Sequence, residues 1–180
     1  MRNLYNRQQI HLMNQIRKLW EQHVYWTRFF IISTASDLAD LQAVTERLLR
    51  NPKDFAQLLT AFYGTKIAEQ FEALFTDHLK IGGDLVNAAK AQNTELADSL
   101  RKKWYQKADE IAAFLASINP HWDESVWRSM MYSHLDMTEK EAALRLQGNF
   151  AADIRMFDRI EKESLRMADY MSGGIIEQHS

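Results

Sequence analysis

Two histidines, His23 and His78, each stand at the centre of an apolar stripe with helical spacing. At about 100° per residue, Leu12, Ile16, Trp20, Thr27, Phe30 and Ile31 share one face with His23. Ile67, Phe71, Leu74, Ile81, Leu85 and Ala89 share another with His78. A buried imidazole needs a partner, because an unpaired buried polar group costs on the order of 1–3 kcal/mol. Imidazole is also a general base and a common metal ligand. The chemistry open to this pair is therefore proton transfer, metal ligation or hydrogen bonding to a polar ligand. His134, among Trp127, Met130 and Met131, is a third histidine centred on an apolar face.

The elements that must carry these rings are helices. No strand-like alternation competes with the helical period, so the chain reads as all-α. Helix starts and stops follow from the caps. One helix is expected from Gln8 to Ile32 and a second from Asp37 to Arg50. Asn51-Pro52 then opens a short third that Gly64 stops. Lys66 to Gln92 and Glu95 to Ile118 follow, joined at Asn93. A short helix is expected over Glu124 to Leu135. The capping box Thr138-Glu139-Lys140-Glu141 is expected to start another short one, ending at Gly148. The last helix runs from Asn149 to Met171, with Gly173 as its C-cap. Four long antiparallel helices in a bundle with two pairs of short connecting helices result, one domain over residues 1–180. Residues 1–7 and 174–180 are expected to be loosely ordered.

Depth can be counted from the connections between antiparallel helices. His23 and His78 fall about 15–18 Å from the same end at ~1.5 Å per residue, within two helical turns of one another. The same count across the next connections brings Lys107 level with them, and then Glu161, which shares a face with Phe157 and Ile154. The expected site is a buried polar layer of His23, His78, Lys107 and Glu161; whether His134 joins it stays open. As a hydrogen-bonded network the layer would fix helix register, and this reading is favoured for the residues themselves. As a metal site it would use His23, His78 and Glu161, although Lys107 would repel the cation and the Glu-x-x-His pair of di-iron bundles is missing. As a pocket it would take a small polar ligand, and the sequence does not identify the cofactor or ligand.

Composition narrows the classes. Hydrophobic residues make up 46% and charged residues 26% of 180, and the formal net charge is −2. That composition suits a packed core and gives no basic footprint for nucleic acid. With no cysteine, thiolate ligands, disulfides and a cysteine nucleophile are excluded. The longest strongly apolar run, Phe29 to Ile32, is far short of the ~20 residues that span a bilayer. The N-terminus lacks the apolar stretch of a signal peptide, so a cytoplasmic protein with no membrane partner is expected. No Gly-x-x-x-x-Gly-Lys-[Ser/Thr] loop occurs. Gly82-Gly83 lies inside a helix, where close packing against an aromatic such as Trp104 or Trp20 would account for it. The second half of the first helix is apolar nearly all round (Val24, Trp26, Phe29, Phe30, Ile31, Ile32). Burial on most sides or pairing in a homodimer would follow.

The run Leu19-Trp20-Glu21-Gln22-His23-Val24-Tyr25-Trp26-Thr27-Arg28-Phe29-Phe30 resembles a family of small helical proteins from spore-forming Gram-positive bacteria. So do Arg50 to Phe55, Leu85 to Ala91, Ala108 to Ala112 and Met167 to Met171, and the resemblance covers about residues 10 to 177. Members often carry the inherited label "acetylglutamate kinase". Such kinases are larger α/β proteins with a glycine-rich phosphate loop after a strand, and this chain offers neither, so no acetylglutamate phosphorylation is expected. The resemblance implies no catalytic residues. Among functional readings, metal or small polar-ligand binding in the layer comes first. Self-association through the aromatic first helix comes second and an enzyme third.

Overall fold

A computed structural model describes residues 5–179. The described residues form seven α-helices and no strand: α1 (Arg7–Ala35), α2 (Leu41–Leu49), α3 (Asn51–Tyr63), α4 (Thr65–Lys90), α5 (Thr94–Ile118), α6 (Glu124–Leu146) and α7 (Phe150–Gln178). None of the helices is long and apolar enough to cross a membrane.

Local chemistry sets most of the boundaries. Asn6 and Gln9 form a reciprocal capping box at the start of α1, their side chains accepting from each other's backbone N–H at 2.9 and 2.8 Å. Asn93 caps α5 and Asp123 caps α6 through their side-chain oxygens. Gly64, at φ +79°, makes the break between α3 and α4 in a backbone region that L side chains rarely adopt.

Two expectations fail. The stretch from Glu124 to Leu146 is one helix of 23 residues, not two short ones. Thr138 caps nothing: its hydroxyl donates back to the His134 carbonyl at 2.8 Å, in mid-helix. Five helices therefore exceed twenty residues, and α2 and α3 are the one short pair. The last helix also passes Gly173 and runs to Gln178. Ile175 is fully buried there. A Cβ on Gly174 would lie 2.1 Å from the Trp122 indole nitrogen, so the helix continues by packing its backbone on that ring. Of the segments expected to be loose, residues 1–4 and 180 lie outside the described residues, whereas 174–178 are helical.

Helices adjacent in the chain pack in series: α4 on α5, α5 on α6, α6 on α7, and α7 back on α1, with α3 on α4 and α2 on α1. In addition α1, α4 and α6 meet pairwise, although none of them follows another directly in the chain. The main hydrophobic core gathers Trp20, Phe55, Phe71, Phe75, Trp104 and Trp127. A second cluster gathers Phe30, Ile31, Val44, Leu79, Val86 and Ala142. In the aromatic half of α1, Trp26 lies edge-on to Phe29 and under the Arg47 guanidinium. Phe29 is the large apolar side chain there that stays exposed, at 46%.

Candidate functional site: a buried histidine triad beside a cavity

The meeting of α1, α4 and α6 brings His23, His78 and His134 together. Each is at most 2% exposed. The ring centroids of His23 and His78 are 6.1 Å apart, those of His23 and His134 5.3 Å, and those of His78 and His134 6.2 Å. His23 Nε2 and His134 Nε2 lie 3.3 Å from each other. One ring nitrogen from each of the three lies within 4.8 Å of the other two. Among the described residues this is the one group of three or more histidine or carboxylate side chains drawn that close.

Aromatic packing holds the rings in place. His78 lies nearly parallel to Phe75, one turn earlier on α4, and to Trp104 of α5. The Trp104 indole N–H donates to the His78 carbonyl at 3.0 Å. Trp20 and His23 meet in a T-shaped contact with ring centroids 5.8 Å apart. Gly82 is where the backbone of α4 meets Trp104, since a Cβ would come within 3.1 Å of that ring. At the next position a Cβ on Gly83 would come within 3.3 Å of Phe30.

Burial disfavours the charged form of each imidazole. It pushes His78 down to about 3 and His134 to about 4, and holds His23 well below its ordinary value, with His134 and His78 adding repulsion there. All three rings are therefore neutral at physiological pH, the form whose lone pair binds a metal. The Nδ1 atom of each ring is buried without a hydrogen-bond partner. In a purely hydrogen-bonded arrangement, one of His23 and His134 donates through Nε2 and the other accepts. The acceptor must then carry its proton on an unpartnered Nδ1.

A cavity of about 200 Å³ opens beside the triad. Phe30, Ile31, Leu79, Val86 and Ala142 of the second cluster line it, together with the three histidines. Arg101 and Glu139 also line it, with side chains 39% and 29% exposed, so they stand at its outer end and the triad at its inner end. Those two side chains pair with each other at 2.7 Å.

Two members of the expected layer lie elsewhere. Lys107 pairs with Asp77 at 3.4 Å and Glu110 at 2.6 Å on the α4–α5 flank. Trp104, one turn earlier, takes the inward place on α5 facing His78. Glu161 accepts a 2.5 Å hydrogen bond from the Tyr25 hydroxyl. Its carboxylate pushes that phenol up to about 12. Neither residue belongs to the histidine group, and Glu161 is not among its potential ligands. His134 joins because α6 is continuous. Its signal in the sequence was the absence of any glycine or proline from Ser125 to Leu146.

Sequence reasoning did not assemble a second buried polar group. The Arg28 guanidinium donates to Glu141 at 2.5 Å and to Asp153 at 2.7 Å, and Arg145 reaches Asp153 at 3.4 Å. Glu141 and Asp153 are at most 1% exposed. Burial pushes Glu141 up to about 7 against the pull of Arg28.

The chain matches no family model, no curated protein and no solved structure in the comparisons made.

Proposed function

We propose that this helical bundle binds one divalent transition-metal ion through His23, His78 and His134. The observation that carries the reading is the convergence of three neutral, buried imidazoles from three separate helices, with no lysine or carboxylate among them. A tetrahedral ion with bonds of about 2.05 Å to nitrogen has ligands about 3.3 Å apart. The His23–His134 separation is 3.3 Å. Three protein nitrogens leave a fourth position free, the pattern of sites that bind an exchangeable ligand. Imidazole donors suit zinc, copper, nickel and iron.

The alternative, a network that only fixes register, accounts less well for the same atoms. Such networks are retained with their members paired, whereas here the three rings share one hydrogen-bonding contact, His23 Nε2 to His134 Nε2, and the Nδ1 atoms are left over under either reading. Those atoms also lack the acceptor that ordinarily orients a ligating ring, worth about 10–100-fold in affinity. Stacking on Phe75 and Trp104 takes over that orienting role for His78. An ion need not bind tightly to be detectable.

The test is a titration of the chelator-treated full chain with Zn²⁺ and Co²⁺, read by bound metal and by thermal unfolding. One ion per chain is expected. At a free concentration of about 100 Kd the stabilisation is about 2.7 kcal/mol, a rise of roughly 5–10 °C for a chain of this size. The His134→Phe variant is expected to fold, to take up no metal and to show no such rise. Metal uptake well below one ion per chain, or an equal rise in His134→Phe, overturns the proposal.

A further inference from the structure

We infer that the chamber beside the triad takes a small monoanion with an apolar tail, such as a short-chain or aromatic carboxylate, its head on the metal ion. The inference rests on the proposed metal site. It follows from charge and shape together.

Three neutral imidazoles leave a divalent ion with its full charge, in a place where uncompensated charge is costly. The carboxylates near enough to offset it are committed elsewhere. Glu139 is paired with Arg101, and Glu141 with Arg28. An anion must therefore come from outside the chain, and the free fourth position faces the cavity. The rim does not compete for that anion, because the Arg101 guanidinium is already held by Asp98 and Glu139.

Beyond the ion the lining turns apolar through Phe30, Ile31, Leu79, Val86 and Ala142. The cavity measures about 200 Å³. An apolar cavity of about 150 Å³ holds benzene, so a ring or chain of about six carbons fits. Thr27, Thr138 and Trp104, the polar side chains of the lining besides the histidines and the rim pair, donate their O–H and N–H groups to the carbonyls of His23, His134 and His78. They are not available to donate to a polar tail. Head and tail are thus specified separately, the head by the ion and the tail by the second hydrophobic cluster.

The experiment uses the Co²⁺-loaded full chain at neutral pH and follows the cobalt visible spectrum. Acetate, butyrate and hexanoate are titrated in turn, with hexanamide as the uncharged counterpart of the longest acid. Hexanoate is expected to shift the spectrum saturably. Affinity should rise about fourfold per buried methylene, or ~200-fold from acetate to hexanoate. Hexanamide should leave the spectrum unchanged. Ala142→Leu, which fills the chamber, should reduce hexanoate affinity toward that of acetate. Equal affinities for acetate and hexanoate, or equal responses to hexanoate and hexanamide, overturn this inference while leaving the metal site standing. A chain that takes up no cobalt overturns both.

Discussion

The triad and the Arg28–Glu141–Asp153–Arg145 cluster share α1 and α6, add α4 and α7 respectively, and differ in how far their buried groups are paired. α1 supplies His23 to one and Arg28 to the other, less than two turns apart; α6 supplies His134 to one and Glu141 to the other, about two turns apart. In the ionic cluster each buried carboxylate meets a guanidinium. In the triad three rings meet each other, three buried nitrogens have no partner, and a cavity lies alongside. Buried carboxylates that are each paired hold helices in place, and the cluster leaves one buried donor over, Arg145 Nε. The triad keeps binding capacity, because its Nε2 atoms share one contact beside a cavity, and a ligand taken up there stabilises the fold.

The largest effect should come from breaking the paired side. Arg28→Met keeps much of the side-chain volume and leaves Glu141 and part of the Asp153 charge without their main partner. Removing one member of a buried ion cluster costs about 3–5 kcal/mol. Urea unfolding of the variant should show a loss of that order. In the metal-free chain His134→Phe should instead cost less than about 1–3 kcal/mol, because the unsatisfied Nδ1 it removes offsets the contact that His23 Nε2 loses. If Arg28→Met costs less than about 1 kcal/mol, or His134→Phe costs as much as Arg28→Met, the contrast between the two regions is wrong.

The pH dependence sets the same two regions against each other. The triad is held neutral well below the ordinary imidazole value of 6.5. From about pH 6.5 downward, the unfolded chain therefore binds up to three protons that the folded chain refuses. Glu141 acts the other way. Its folded value of about 7 lies above the ordinary 4.5, so between those values the folded chain holds a proton that the unfolded chain releases. The net uptake on unfolding is about two protons around pH 5–6, and stability should rise with pH there. Unfolding free energies of the metal-free chain at several pH values measure that slope. His78→Phe should lower it by about one proton, and Glu141→Gln should raise it by about one. A slope unmoved by His78→Phe would mean that this ring titrates normally, and hence that it is not shielded from water.

How much of this could be read in the sequence depends on which quantity was being read. Helical period and caps were strong signals, and the helix class, the turn at Asn93 and the break at Gly64 followed from them. Depth along a helix was also legible, because 1.5 Å per residue accumulates small errors slowly; His23 and His78 do meet. Rotation was not. One residue turns a side chain by 100°, and Lys107 and Trp104 differ by three residues on α5. A long lysine can occupy the edge of an apolar face and reach sideways to a carboxylate, as Lys107 does to Asp77. The join in α6 was hidden for another reason. Thr138 with Glu141 has the letters of a capping box, but the threonine hydroxyl is as well satisfied by the carbonyl of His134, and Glu141 by Arg28. Those partners come from packing, which local sequence does not specify.

The smallest expected effect tests that distinction between depth and rotation. Lys107→Met removes a cation whose partners, Asp77 and Glu110, are both more than half exposed. Pairs of that kind contribute about 0–1 kcal/mol, and the methionine keeps the stem packed against α4. The variant should therefore unfold within about 1 kcal/mol of the parent and take up the same amount of Zn²⁺. A lysine facing the triad would behave differently. Its removal would relieve direct repulsion of the ion, and metal affinity would rise by well over tenfold, since like charges at short range in a poorly screened site repel by several kcal/mol. Zinc affinity of Lys107→Met, measured beside its urea midpoint, therefore reports which way α5 is turned. An unchanged affinity keeps Trp104 as the residue that faces His78, and a large gain would return Lys107 to the layer.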